Sequence, residues 1–308
     1  MSGAETTLTT DWLTRSGASA RRLRATTLGL AAVILGATAL AVGLADWRAT
    51  LVRWFGPPAV TITEAYEAKP DGPNMDHAAF TALLDRHVKP GGWVDYKALA
   101  GDREKLRTYI ERIGEAPFDR MGRNEKLALL INAYNAFTLE LMLEYMPDGA
   151  VGGFSIRDIP ESKRWDHKRW NVGGHAWSLN QIEHEQIRPK FKDVRVHWAL
   201  VCAAYSCPPL RREAYTADKL DKQLADQTEY VHTHPRWVRY DEAADTVHLT
   251  ALYSWYGGDF EQLHGSVLEY VAKHVPAVAA DLEANRPPTV RWIDYSWKIN
   301  DVSARPEE

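Results

Sequence analysis

Apolar positions recur at helical spacing through the middle of the chain. Between Asn124 and Met146, the residues Leu127, Leu130, Ile131, Tyr134, Phe137, Thr138, Leu141 and Tyr145 fall on one broad face. That spacing predicts a long helix set against a core. Asn124 is placed to cap its start, and Pro147-Asp148-Gly149 to end it. Upstream, Ala79, Phe80, Leu83, Leu84 and His87 predict a helix that Gly91-Gly92 breaks. Another begins at Asp95-Tyr96-Lys97 and runs through Leu106, Ile110 and Ile113. Downstream, the pattern predicts a short helix from Gln181 to Arg188 capped by Asn180, one from Thr216 to about His232, and one from Asp259 through His274. Residues 169–179 read as a hairpin with Gly173-Gly174 at the turn. Trp237–Tyr240 and Thr246–Leu249 read as a second hairpin, and Arg291–Tyr295 as a last strand. Residues 194–202 fit a buried strand or a short helix equally well. Helices outweigh strands and the strands come as hairpins, so the fold class expected is α+β: a mainly helical single domain with short antiparallel hairpins.

A different pattern stands near the start. Residues 25–45 contain no charge. At ~1.5 Å per residue they would extend ~31 Å, enough to cross a bilayer core. Arg15, Arg21, Arg22 and Arg24 precede them. The excess of positive charge predicts a cytoplasmic N-terminus and a translocated remainder. A cleaved signal peptide is the competing reading, with Ala39-Leu40-Ala41 as a small-residue cleavage site, but the apolar run and its leading tail are long for one. The organisation expected is a cytoplasmic tail over 1–24, a transmembrane signal anchor over 25–45 and a Pro/Gly-bearing linker over 46–75. A globular domain then fills 76–300, with a tail over 301–308. This places the chain in a bacterial inner membrane, single-pass, with its domain in the periplasm.

The formal net charge is −4, and setting aside the arginine-rich first 24 residues makes the rest more acidic. That sign, with no basic block carrying interleaved aromatics, excludes a nucleic-acid partner. The expected partners are the membrane and an envelope substrate or protein. Twelve tryptophans are many for 308 residues. They are compatible with a stacking site, though Trp also serves the core.

The chemistry concentrates in Val196-His197-Trp198-Ala199-Leu200-Val201-Cys202-Ala203-Ala204-Tyr205-Ser206-Cys207-Pro208-Pro209, which holds both cysteines. Proline after Cys207 forces its predecessor into extended backbone and places the thiol at a chain reversal. A thiol becomes a nucleophile when an imidazole or a helix N-terminus lowers its pKa. His197 and His184 are the candidate bases. His184 lies between Glu183 and Glu185, and a carboxylate can fix an imidazole tautomer. A surface His–Glu pair and a small buried Cys are the bland alternatives. Cys202 and Cys207 could equally join in a disulfide, which an exported domain permits and which would remove the nucleophile. Their C-x4-C spacing is not that of thioredoxin-like redox sites. His232-x-His234 and Glu183-His184-Glu185 are the tight clusters of ligand-type residues, and His232-Thr233-His234 reads as a helix-end dipole contact. No metal site and no cofactor are expected, and no nucleotide-binding or G-x-S-x-G motif is present.

Four ordered motifs share a pattern. They are Ile131-Asn132-Ala133-Tyr134-Asn135-Ala136-Phe137-Thr138-Leu139; Ser178-Leu179-Asn180-Gln181-Ile182-Glu183-His184; Val196 to Cys202 with Ser206-Cys207-Pro208-Pro209-Leu210; and Trp255 with Asp259-Phe260. Together they resemble the domain-of-unknown-function 547 family over residues 76–300. Leu129 and Leu130 stand where that family usually has aromatics, a change of packing more than of chemistry. The resemblance implies an exported or plant-type domain without a cofactor. It groups Asn132, Asn135, Glu183, His184, His197 and Cys207. The expectation is a cysteine-dependent hydrolase or acyltransferase on an envelope substrate. Cys207 would be the nucleophile, His184 or His197 the base and Glu183 the orienter, with Asn132 and Asn135 as polar support. The rival is a non-catalytic binding or scaffold module stapled by Cys202–Cys207. A carbohydrate-binding role, resting on the Trp count, is a third class.

Overall fold

The computed structural model of the chain describes residues 56–146, 148–149 and 153–305. The expected cytoplasmic tail and anchor (1–45), residues 46–55 of the linker and residues 306–308 lie outside the described residues. Among the described residues no helix is long and apolar enough to cross a membrane.

Helix α1 (Ala78–His87) leads into a two-residue hairpin, β1 (Val88–Lys89) and β2 (Trp93–Val94). Gly91 and Gly92 turn it with positive φ angles. At Gly92 a Cβ would come within 2.5 Å of the Pro209 and Leu210 backbone, so glycine is required there twice over. The single helix expected from Asp95 onward is two: α2 (Tyr96–Gly101) and α3 (Arg103–Gly114). Asp95 caps the first by accepting from the Ala98 amide, and Asp102 forms the break.

Helix α4 (Arg123–Tyr145) is the axle of the domain. It is not amphipathic: every residue from Lys126 to Leu143 is buried. The periodic face read from the sequence is therefore one side of a helix packed all round. Gly122, not Asn124, occupies the N-cap, and no side chain bonds there. Buried polar groups on α4 all find partners. Glu140 accepts from Arg103 and Arg107, and Thr138 bonds back to the Tyr134 carbonyl. Lys126 donates to the Phe118 carbonyl and lies over the Tyr66 and Phe118 rings. Each fully buried Leu or Phe here contributes roughly 1.5–3 kcal/mol.

The hairpin β3 (Trp170–Val172) and β4 (His175–Trp177) turns at Gly173-Gly174 as expected. Helix α5 (Leu179–Gln181) follows and continues into a π-helical turn over Ile182–Ile187. Ser178, not Asn180, caps α5, in a capping box with Gln181. Asn180 is occupied elsewhere, donating to Asp166 at 2.7 Å. Residues 194–198, left between strand and helix, form a 3-10 turn.

Helix α6 (Leu220–Thr233) precedes a three-stranded sheet of β5 (Val238–Asp241), β6 (Thr246–Thr250) and, after four short helices, β7. Those helices are α7 (Ala251–Trp255), α8 (Gly257–His264), α9 (Val267–Ala272) and α10 (Pro276–Glu283). The single helix expected from Asp259 to His274 is broken at Gly265, whose φ is +83°, and restarted by the Ser266 cap. Strand β7 (Thr289–Ile293) runs parallel to β6, with Val247 opposite Val290 and Leu249 opposite Trp292. The fold is thus α+β with short antiparallel hairpins, as expected, plus one parallel pair. One core gathers around α4; a second lies under the sheet around Trp198, Trp237, Tyr253 and Phe260.

Part of the expected linker belongs to this domain. Thr63 and Ala65 donate to the Pro189 and Lys190 carbonyls, and the Glu67 carbonyl accepts from the Arg123 amide.

Candidate functional site

The Cys segment is suspended from α4. Asn135 donates its Nδ2 to the Ala199 carbonyl at 3.0 Å and accepts the Val201 amide on Oδ1 at 2.9 Å. Asn132 makes the same two-point bond to the Tyr215 backbone, at 2.8 and 2.9 Å. A side-chain amide that mimics a strand partner satisfies the backbone where no strand is present. Both asparagines are therefore positioning residues, turned to the backbone rather than into a cleft. From the other side residues 296–300 pair with the loop: Tyr205 donates to the Lys298 carbonyl, Ser206 to that of Ser296, and Asn300 to that of Ala203. Ala203 holds a left-handed φ of +62°, a strained conformation for a residue with a Cβ.

Within this loop Cys202 and Cys207 are joined in a disulfide, with Cα atoms 6.4 Å apart. The Tyr295 hydroxyl lies 3.1 Å from one sulfur and 3.3 Å from the other, and the Cys202 amide donates to Cys207 Sγ at 3.1 Å. Cys207 thus carries no free thiol in this state.

The expected Cys207–His184 pair is not formed either. His184 and Glu183 sit on the π-helical turn, whose wider coil bonds the Arg188 amide to the Glu183 carbonyl, five residues back. Such turns re-aim side chains and recur at functional sites. Here the turn brings Arg188 Nη1 to 3.1 Å from His184 Nδ1. Guanidinium only donates, so Nδ1 accepts and the ring proton sits on Nε2. Burial pushes the His184 pKa down, and the Arg188 charge adds to that against the pull of Glu183. His184 is therefore neutral, with its basic nitrogen occupied. Glu183 does not orient it: the two approach only to 3.7 Å. Instead Glu183 accepts the Tyr256 hydroxyl at 2.6 Å and that of Tyr134. Burial works to raise the Glu183 carboxyl, but the His184 and Tyr256 interactions outweigh it, and its pKa is lowered. Tyr134 and Tyr256 are raised well above 10, by burial first and Glu183 second, so both remain donors.

His197 is committed to Asp259. Its Nε2 lies 2.9 Å from Asp259 Oδ2, and its ring stacks on Tyr256 with centroids 4.1 Å apart. Arg188 closes the set with a bidentate bond to Asp259 at 2.8 and 2.9 Å, a bond to the Pro58 carbonyl, and its guanidinium over the Tyr256 ring. Asp259, Arg188 and His197 have side chains 2–4% exposed. Burial would raise the Asp259 carboxyl; the hydrogen bonds from His197 and Arg188 prevail and hold it at about 2.

The groups that remain open beside this network are aromatic. Trp255, Tyr295 and Trp297 cluster with centroids 4.6, 4.8 and 5.9 Å apart, and Trp165 joins at 5.8 Å from Trp297. All four are half-buried. Trp255 and Asp259 stood in a recognised motif without an assigned role. Arg188 could have been found four residues after His184 on the same helical turn. Nothing in the sequence singles out Tyr256 or Tyr295.

A cleft of about 1440 Å³ lies apart from this network and contains none of the sequence-predicted site residues. Among its charges Arg212 pairs with Asp85 and Arg211 with Glu213, both at 2.6 Å. Among the described residues no cluster of His, Cys, Asp or Glu could hold a metal ion. The His232–His234 pair is split: His232 is buried, its Nδ1 donating to the Thr228 carbonyl and its Nε2 accepting from the Tyr253 hydroxyl, with its pKa lowered to about 4, chiefly by burial. It is a core residue rather than the helix-end contact expected.

The family described as "Protein of unknown function, DUF547" matches residues 118–231. Residues 118–231 are a DUF547 domain. No curated protein and no solved structure matches the chain. The DUF547 match contains α4, both asparagines, the π-helical turn and the disulfide loop. Tyr256, Asp259 and Tyr295, which complete the network, follow it in the chain.

Proposed function

We propose that this chain is a non-catalytic binding module of the cell envelope, stapled by Cys202–Cys207, which takes a flat-faced ligand such as a glycan ring. The observation that carries the reading is the disulfide together with the occupied imidazoles. The nucleophile is spent, His184 Nδ1 faces Arg188, and His197 Nε2 faces Asp259. What is left to meet a ligand is the Trp165–Trp255–Tyr295–Trp297 rim, backed by the Glu183 carboxylate. Half-exposed aromatics fixed by packing offer contact area at low entropic cost, and a few buried polar groups add orientation. Placement outside the cytoplasm accords with a structural disulfide.

Two measurements test it on the full-length chain. Iodoacetamide should leave both cysteines unlabelled without reductant; labelling of native protein contradicts the staple. Soluble β-linked N-acetylglucosamine oligomers should quench tryptophan fluorescence saturably in wild type, and the response should vanish in Trp255→Ala and Trp297→Ala. An unchanged response in both variants removes the rim from the reading.

A second reading rests on the surroundings of Cys207. In the reduced chain the Tyr295 hydroxyl and the Cys202 amide would be donors to its sulfur. Donors of that kind stabilise a thiolate, so thiol chemistry on an envelope substrate would begin with reduction. The pH dependence of iodoacetamide labelling after reduction separates the two: a thiol titrating near the ordinary ~8.5 leaves the binding module alone.

A further inference from the structure

The guanidinium of Arg236 has aromatic walls and no counter-ion. Its Cζ lies 4.1 Å from the centroid of Tyr205 and 4.7 Å from those of Trp93 and Trp237. Its Nε is buried and makes no hydrogen bond. No carboxylate among the described residues pairs with it, and its titratable neighbours are Tyr205, Tyr230, Tyr295 and His234, whose ring accepts from the Arg236 amide. Arg164 shares part of this pattern, over the Trp165 ring with its Nε unbonded, but other partly buried arginines are ion-paired. Arg188 meets Asp259, Arg103 meets Glu140, Arg195 meets Asp193 and Arg211 meets Glu213. Taking a cation out of water without a partner is costly, and ring faces offset only part of that.

The cage is also rigid. Trp237 donates its Nε1 to the Ser206 and Cys207 carbonyls, and Tyr205 lies inside the disulfide loop with its amide bonded to Lys298. Trp93 packs on Tyr205 with centroids 5.5 Å apart. The cage therefore stands on the same loop that Tyr295 touches from the rim side. A planar, always-charged fork held flat between rings is the donor geometry that suits a two-oxygen anion.

We propose that Arg236 is an oxyanion subsite, receiving a carboxylate or phosphate group of the ligand between Trp93, Tyr205 and Trp237. The proposal gives the ligand of the binding module an acidic group and rests on that reading for its purpose. It is read out separately, because the reporters differ.

The test titrates the full-length, disulfide-intact chain with sodium acetate and with sodium phosphate, against sodium chloride at equal ionic strength, following tryptophan fluorescence. A saturable change with at least one oxyanion, diminished in Trp93→Phe, is expected. Arg236→Gln should weaken it roughly tenfold or more, as loss of a charged hydrogen-bond donor does. Arg236→Lys, which keeps the charge but not the fork, should fall between. Arg157→Gln, whose guanidinium lies over Trp297 instead, should match wild type. The tighter of acetate and phosphate names the source of the charge. Chloride giving the same response, no saturable response to either oxyanion, or Arg236→Gln binding like wild type overturns the proposal. Should Arg236→Gln not fold, the wild-type titrations and Arg236→Lys still decide it. Failure of the glycan oligomers to quench Trp255, with a positive Arg236 result, would count against the rim alone.

Discussion

Replacing Asp259 by asparagine keeps its shape and removes one charge from a buried set of three. Arg188 and His197 both bond this carboxylate, and all three side chains are nearly inaccessible. In Asp259→Asn the Arg188 guanidinium would remain buried, with only the Pro58 carbonyl and His184 Nδ1 as acceptors besides one amide oxygen. Removing one member of such a pair costs ~3–5 kcal/mol. For a domain of this size that lowers Tm by roughly 6–20 °C. The pH dependence supplies a second magnitude. The Asp259 pKa is about 2 in the fold against 3.8 as a free side chain. Because the folded value is the lower one, the stabilisation is complete above pH 3.8 and is lost as pH falls through 2. Its size is on the order of 2 kcal/mol at ~1.4 kcal/mol per unit. Urea denaturation at pH 7 and at steps down to pH 2 measures both. The wild-type-minus-variant difference should shrink across that acid window while the m-value stays constant. A difference below ~1 kcal/mol at pH 7, or one that grows as pH falls, refutes the assignment of Asp259 as the anchor of Arg188. The double variant Arg188→Met/Asp259→Leu should recover most of the loss, because it leaves no unpaired charge behind.

Asn135→Ala should cost about 2–4 kcal/mol in the same assay, since it strips two buried backbone groups, at Ala199 and Val201, of their partner. Reducing the disulfide, or replacing both cysteines by serine, should cost only about 2 kcal/mol, the chain-entropy value for a loop this short. A loss above ~5 kcal/mol would mean the loop folds only when oxidised. His77 and His232 have pKa values lowered to about 4, chiefly by burial. Their imidazole NMR signals should therefore stay fixed from pH 8 down to pH 5. As bases held neutral in the fold, they stabilise fully above pH 6.5 and lose that contribution as pH falls toward 4. Gly92→Ala should destabilise by more than Gly101→Ala, which has open space around it, because a Cβ at Gly92 meets the Pro209 and Leu210 backbone.

The sequence reveals elements better than it reveals partners. The long helix, both hairpins and the last strand follow from local patterns of period 3.6 and 2 and from glycine turns. Breaks within helices were missed at Asp102 and Gly265, because apolar spacing continues across a break when both pieces face the same core. The parallel pairing of β6 and β7 has no local signature at all. The same distinction runs through the site. Asn132, Asn135, Glu183 and His184 stand in recognisable motifs, so they were found. What each of them does depends on what faces it, which spacing does not show. His184 looked like a base beside a carboxylate. The π-helical turn instead delivers Arg188 to its basic nitrogen, and no residue type announces that extra residue in the turn. Tyr256 and Tyr295 come from 73 residues beyond Glu183 and 88 beyond Cys207, distances at which spacing carries no information.

The arrangement of charges argues for a site built to stay still. Glu183 and Asp259 are both held ionised against burial by groups of the network itself: His184 and Tyr256 for one, His197 and Arg188 for the other. A catalytic acid or base needs a pKa near the working pH, which calls for fewer donors on the carboxylate, not more. The opposite is seen here. Both carboxylates are driven away from neutrality, and the imidazoles that could titrate are tied to them or to Arg188. Such a network contributes orientation rather than proton transfer: it fixes the π-helical turn, the Tyr256 ring and the 3-10 turn that carries His197. Beside it, Tyr295 places its hydroxyl against both sulfurs, with Trp255 and Trp297 packed on its ring. In contrast, the guanidinium of Arg236 has no carboxylate partner among the described residues. An outside oxyanion, as proposed, would supply the partner that this caged cation lacks among the described residues.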